Sequence, residues 1–146
     1  MKHLFYSLFL ILTVSCSKSD TSDYATESSE KGIIGKWRLV EVHSSDGTPQ
    51  VNKVDVSSEN YVVVFDANGN VESVDFPCVG KYNFDSNASG NLGNNLVVTF
   101  DKCKSNKSFS YSINGLANAR ISDYNYLILN AANCDEPRTR VYRRLK

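Results

Sequence analysis

Large apolar and small polar residues alternate without a break through Ser108-Phe109-Ser110-Tyr111-Ser112-Ile113-Asn114. A two-residue period gives an extended chain one wet face and one buried face, a division that no helix makes at that spacing. The same period runs along most of residues 31–146, where no window carries an amphipathic helical repeat. It predicts strands at residues 35–43, 60–66, 70–76, 79–85, 95–101, 107–114, 124–130 and 138–145. The gaps carry turn chemistry: Ala67-Asn68-Gly69, residues 87–95 with their two glycines, and residues 133–137 ending on a proline. Eight short antiparallel strands in meander order make a sandwich or a closed barrel, and closure has the advantage of removing both sheet edges.

The N-terminus is of another kind. Lys2 and His3 precede an apolar run over residues 4–14, interrupted only by Ser7 and Thr13 and followed by Ser15-Cys16. The run falls short of the roughly 20 apolar residues a membrane-spanning helix needs. Leu12-Thr13-Val14-Ser15-Cys16 resembles a bacterial lipobox, with Thr13 standing where Leu is usual. The resemblance implies a signal peptide over residues 1–15 and a lipoprotein whose Cys16 carries the lipid; several acyl chains there would fix it to a membrane. Residues 17–30 hold seven Ser/Thr, four acids and one aromatic, too little apolar surface to offset ordering, and are expected to be a flexible tether. Acids close behind the cysteine resemble the export signals of surface lipoproteins in the Bacteroidetes, or serve solubility alone. The implied location is the bacterial cell envelope, as an outer membrane lipoprotein facing the periplasm or the surface.

Residues 31–146 are enough for one domain with a core. Without Lys2 the chain carries 15 Lys/Arg against 16 Asp/Glu, a balance that implies neither nucleic acid nor an anionic surface as partner. No second hydrophobic segment is present, so the domain itself is expected to be soluble.

The ends of this domain carry recognisable motifs. Gly35-Lys36-Trp37 opens the first strand as a G-x-W motif, and Ser122-Asp123-Tyr124-Asn125-Tyr126 is similar to a T-D-Y motif with a further aromatic. Arg140-Val141-Tyr142-Arg143-Arg144 supplies a C-terminal basic cluster with an R-x-Y core. In this order, in an all-β chain, they resemble the calycin superfamily, most closely the lipocalin-like domain of small Bacteroidetes lipoproteins, over about residues 33–145. The domain lacks the C-terminal helix of secreted lipocalins and the helix pair that caps fatty-acid-binding proteins; residues 44–59 read as a polar loop. The fold expected is thus an all-β, eight-stranded antiparallel up-and-down barrel. The resemblance assigns Gly35, Trp37, Asp123, Tyr124 and Arg144 to its closed floor, with the Arg144 guanidinium stacked on Trp37, a contact of about 0.5–2 kcal/mol.

The interior of such a barrel should receive Leu39, Tyr61, Val63, Phe65, Tyr82, Phe84, Leu96, Val98, Phe100, Phe109, Tyr111, Ile113, Tyr126 and Ile128, an apolar lining with phenolic handles. An eight-stranded barrel has room for a filled core or one small ligand. Arg140 and Tyr142 match the R-x-Y positions that hold a carboxylate in fatty-acid-binding proteins; with Tyr111 and Tyr82 they are the candidate ligand contacts. The other reading of that strand turns Arg138, Arg140 and Arg144 to solvent, with Val141 and Leu145 inside.

Besides Cys16 the chain has Cys78, Cys103 and Cys134, an odd number that leaves one thiol over. In meander order all three gather at the mouth opposite Trp37, and Cys78 and Cys103 flank a hairpin centred near residue 90. Those two are expected to bridge, a constraint of roughly 3 kcal/mol. Catalysis finds no support: the histidines are His3, in the signal, and His43, at the end of a strand, which gives neither a Ser-His-Asp set nor a metal site. Asp66-Ala67-Asn68-Gly69-Asn70 begins like a calcium loop but carries Gly at the fourth position and no Glu at the twelfth; a hairpin turn accounts for it. The expectations are therefore no enzyme, no cofactor and no metal. They leave either a membrane-anchored protein binding a small apolar or amphiphilic ligand, or an accessory subunit with a filled barrel and a protein partner of unknown kind, contacted through loops 44–59 and 102–107.

Overall fold

The structure is a computed structural model that describes residues 27–47, 49–90, 93–105, 112–123, 125–131 and 138–146. Nine strands follow a four-residue helix, α1 (Glu30–Ile33): β1 (Gly35–Ser44), β2 (Asn52–Asp55), β3 (Val62–Phe65), β4 (Asn70–Ser73), β5 (Gly80–Gly90), β6 (Gly93–Thr99), β7 (Gly115–Ser122), β8 (Tyr126–Ala131) and β9 (Arg138–Arg144). Each pairs antiparallel with its neighbour in the order β2-β1-β3-β4-β5-β6-β7-β8-β9, and β9 returns to pair with β1. The expected closed up-and-down barrel is formed by β1 and β3–β9, so it has no free edge of the kind that invites aggregation. β2 is an addition, a short exposed strand paired with residues 41–44 of β1.

β1 serves three partners because its pairing changes along its length. Residues 35–38 pair with β3, residues 41–44 with β2, and the other edge pairs with β9 from Trp37 to Ser44. A register shift between Leu39 and Glu41 leaves Val40 as an extra residue, the mark of a bulge that bends the strand. Residues 44–59 are therefore more than the polar loop expected. They hold β2, a 3-10 turn (Ser57–Glu59) and Val56, which is buried and whose amide donates to Val40 O at 2.9 Å.

Side-chain parity fills the interior. Trp37, Leu39, Val63, Phe65, Val71, Leu96, Val98, Leu127, Leu129 and Tyr142 are almost wholly inaccessible to solvent. Two sequence expectations fail here. The sequence reading places Tyr126 and Ile128 inward, yet Tyr126 is exposed and Ile128 half-buried, while Leu127 and Leu129 face the core. Four consecutive apolar residues give no parity signal of their own; the pairing of Leu127 with Tyr142 and Ile121 sets the face. The strand expected at 107–114 lies instead at Gly115–Ser122: Ser112 and Ile113 are buried without being in a strand, and residues 106–111, with Phe109 and Tyr111, lie outside the described residues. The inward residues of β7 are Ala117, Ala119 and Ile121, and small alanines opposite Leu96 and Leu129 give a weak hydrophobic period.

Of the residues expected at the floor, Gly35, Trp37 and Arg144 meet there, and the segment before β1 joins them. The Arg144 guanidinium lies 4.1 Å from the Trp37 ring centre and donates to the carbonyls of Gly32 (2.6 Å) and Ile34 (2.9 Å). Trp37 Nε1 donates to Ile33 O at 2.7 Å. Gly35 adopts φ +135°, a conformation that favours glycine, and a Cβ there would crowd the Arg144 guanidinium at 3.0 Å. Residues 28–30, expected in the tether, belong to this floor: Ser29 caps α1, and the Ser28 hydroxyl accepts from Ile121 N at 2.8 Å. Asp123 sits at the same end but is exposed, in the left-handed region (φ 49°), and shapes the β7–β8 turn rather than the plug. Tyr124 lies outside the described residues.

Candidate functional site

On β9 the inward parity passes through Arg140, Tyr142 and Arg144, settling which way the strand faces. Arg144 closes the floor, and the other two point to the mouth half. Tyr142 is wholly buried and pairs with Leu39 of β1; on the far side of Leu39, its amide donates to Tyr61 O at 2.9 Å. Tyr142 of β9 and Tyr61, just before β3, thus flank Leu39. The parity of β4 runs Val71, Ser73 and on to Asp75 just beyond the strand, and all three are buried. Five polar side chains, Tyr61, Ser73, Asp75, Arg140 and Tyr142, so meet inside the barrel where the β1–β3 pairing stops.

Their hydrogen bonding is incomplete. Ser73 Oγ donates to the Tyr61 hydroxyl at 3.1 Å and accepts from Asp75 N at 3.4 Å. Arg140 Nη1 donates to the Ser112 carbonyl. Asp75 Oδ1, the Tyr142 hydroxyl and Arg140 Nε are shielded from solvent and have no hydrogen-bond partner. Burial is the main cause that raises the Tyr61 phenol far above its ordinary value, helped by Tyr142 and Asp75 and opposed by Ser73. Burial likewise pushes Tyr142 up to about 12, Arg140 pulling it down and Asp75 adding to the rise. Arg140 is near enough to act on that phenol, although no donor meets the hydroxyl in bonding geometry. A buried acceptor without a donor costs about 1–3 kcal/mol, so three orphan atoms in one place are a feature the fold alone does not require.

The structure separates the remaining candidates from this cluster. Tyr82 stands toward the floor, its hydroxyl donating to Asp66 O at 2.7 Å and its ring edge-on to Phe65 at 5.0 Å; its polar atom is already engaged. Tyr111, Cys16 and Cys134 lie outside the described residues. Cys78 and Cys103 form the expected disulfide across the mouth, with Cα atoms 6.0 Å apart. Asp66 turns its carboxylate on its own hairpin, accepting from Asn68 N, Asn70 N and Asn70 Nδ2 at 2.7–2.8 Å, as the turn reading requires. Ser73, Asp75 and Ser112 were missed by sequence reasoning. Once Val71 is inside, the two-residue period places Ser73 and Asp75 inside too, and a polar residue in the inward phase was the available signal.

Two grooves mark the outer wall. One of about 390 Å³ is apolar, lined by Val62, Val64, Val74, Phe76, Pro77 and Val79, with Val74 and Val79 about half exposed. The other lies near the floor between Arg38, Arg143, Arg144 and Lys146. Among the described residues no three His, Cys, Asp or Glu gather as metal ligands would, and no helix is long and apolar enough to cross a membrane. Comparison with known proteins adds no relative: no family model, no curated protein and no solved structure matches this chain.

Proposed function

We propose that this chain is a non-enzymatic, lipocalin-like binding protein, anchored by lipid on Cys16 in the bacterial cell envelope, that takes a small amphiphile at the barrel mouth. The observation that carries this reading is Arg140: it projects inward beside a wholly buried tyrosine, and among the described residues no carboxylate forms an ion pair with it. A half-buried guanidinium with donors to spare favours an anionic acceptor such as a carboxylate or a phosphate. Displacement of a fluorescent fatty acid tests the reading. Arg140→Ala should weaken binding by about 2–5 kcal/mol, the range for removing one partner of a buried charged pair. Arg144→Ala should leave probe affinity close to wild type, because its bonds are to the floor.

The accessory-subunit reading is favoured by the apolar groove beside the disulfide, since exposed patches of this kind mark contact surfaces. A wild-type protein that binds no amphiphile, and carries none in native mass spectrometry after purification from its host, would move the function to that outer wall.

A further inference from the structure

Asp75 is the residue that the ligand reading does not absorb. It is 1 % exposed, it is near enough to act on the Tyr61 and Tyr142 phenols, the second of which Arg140 also acts on, and Oδ1 has no donor. Were the ligand head a simple anion, it would meet Arg140 but bring a negative group toward a buried carboxyl that offers it nothing. A simple ammonium would have the converse fault, satisfying Oδ1 while facing the guanidinium. The orphan atoms are of both kinds: Arg140 Nε needs an acceptor, Asp75 Oδ1 needs a donor, and the Tyr142 hydroxyl, on which both residues act, can serve as either.

We infer that the mouth selects an amphiphile whose head carries an anionic acceptor and, within a few atoms of it, a hydrogen-bond donor, the α-amino acid head being the simplest case. Arg140 takes the acceptor, Asp75 the donor, and Tyr61, held by Ser73, fixes the wall between them. Such a head fills unmet hydrogen-bonding positions on both sides, whereas either half alone leaves one side unpaired. Sites built to hydrogen-bond a substrate group reject analogues that lack it, because the buried protein group is then left unmatched. The inference rests on the mouth being a ligand site.

The test is calorimetric titration of the full chain with three probes of one tail length, each below its micelle concentration: decanoic acid, decylamine and 2-aminodecanoic acid. The expected result is that 2-aminodecanoic acid binds about ten-fold or more tighter than either other probe, as one charge-assisted hydrogen bond allows. Asp75→Ala should bring its affinity down to that of decanoic acid while leaving decanoic acid unweakened. Equal or tighter binding of decanoic acid by wild type overturns the inference and leaves the anionic-head reading standing. Binding of none of the three overturns both. The wild-type ranking decides the matter even if Asp75→Ala does not fold.

Discussion

The two buried tyrosines of the mouth make opposite predictions although they are neighbours. Tyr61 accepts from Ser73, while the Tyr142 hydroxyl has no partner. Tyr61→Phe should therefore destabilise the unliganded protein by about 1 kcal/mol, the net worth of a hydrogen bond, and Tyr142→Phe should raise its stability by a similar amount through loss of an unmatched buried group. Urea denaturation at neutral pH measures both, and a loss in Tyr142→Phe would mean that its hydroxyl is engaged. Alkaline pH probes the same residues. Folding raises both phenols above their unfolded value near 10, so the stability they contribute is fully present below that pH. It is lost as pH rises from about 10 through the folded value, about 12 for Tyr142. Stability of the wild type should accordingly fall steeply above pH 10, and less steeply in Tyr142→Phe.

At the scale of the strand, what the sequence reveals depends on contrast between adjacent residues. β1 and the first half of β5 are legible in their facing because apolar and polar residues alternate in them. β8 is legible as a strand but not in its facing, since Tyr126-Leu127-Ile128-Leu129 has no polar member. β7 is hidden because its inward residues include two alanines, whereas Asp75 falls inside the predicted strand 70–76 and only its burial, not its place in the strand, goes against its polarity. The same cross-strand geometry places Arg38 of β1 directly opposite Arg143 of β9 on the outer wall, beside Lys146. Like charges in register repel, and opposite charges contribute roughly 0.2–1 kcal/mol. Arg143→Glu should raise the melting temperature by a few degrees at low salt, and the gain should shrink as salt is added. A gain that persists unchanged in high salt would assign the effect to something other than charge.

The whole molecule is closed three times: β9 on β1 seals the sheet, Cys78–Cys103 ties two mouth turns across 25 residues, and the segment before β1 plugs the floor. By loop entropy the disulfide contributes about 3.5 kcal/mol, mainly by restricting the unfolded chain. The floor acts instead on the folded state, because Arg144 and Trp37 donate to the backbone carbonyls of Gly32, Ile33 and Ile34. Two truncations separate a tether from a structural part. A chain beginning at residue 27 keeps Ser28, the capped helix and all three carbonyl contacts, and should melt like the longer protein. A chain beginning at residue 35 takes two carbonyl acceptors from a buried guanidinium and one from a buried indole N–H. Removing one partner of a buried charged group costs about 3–5 kcal/mol, a large part of the stability of a domain this size. Circular dichroism melting of the two should therefore differ by well over ten degrees. Coincident melting curves would show that Arg144 and Trp37 find other partners, and that the floor is closed by the barrel strands alone.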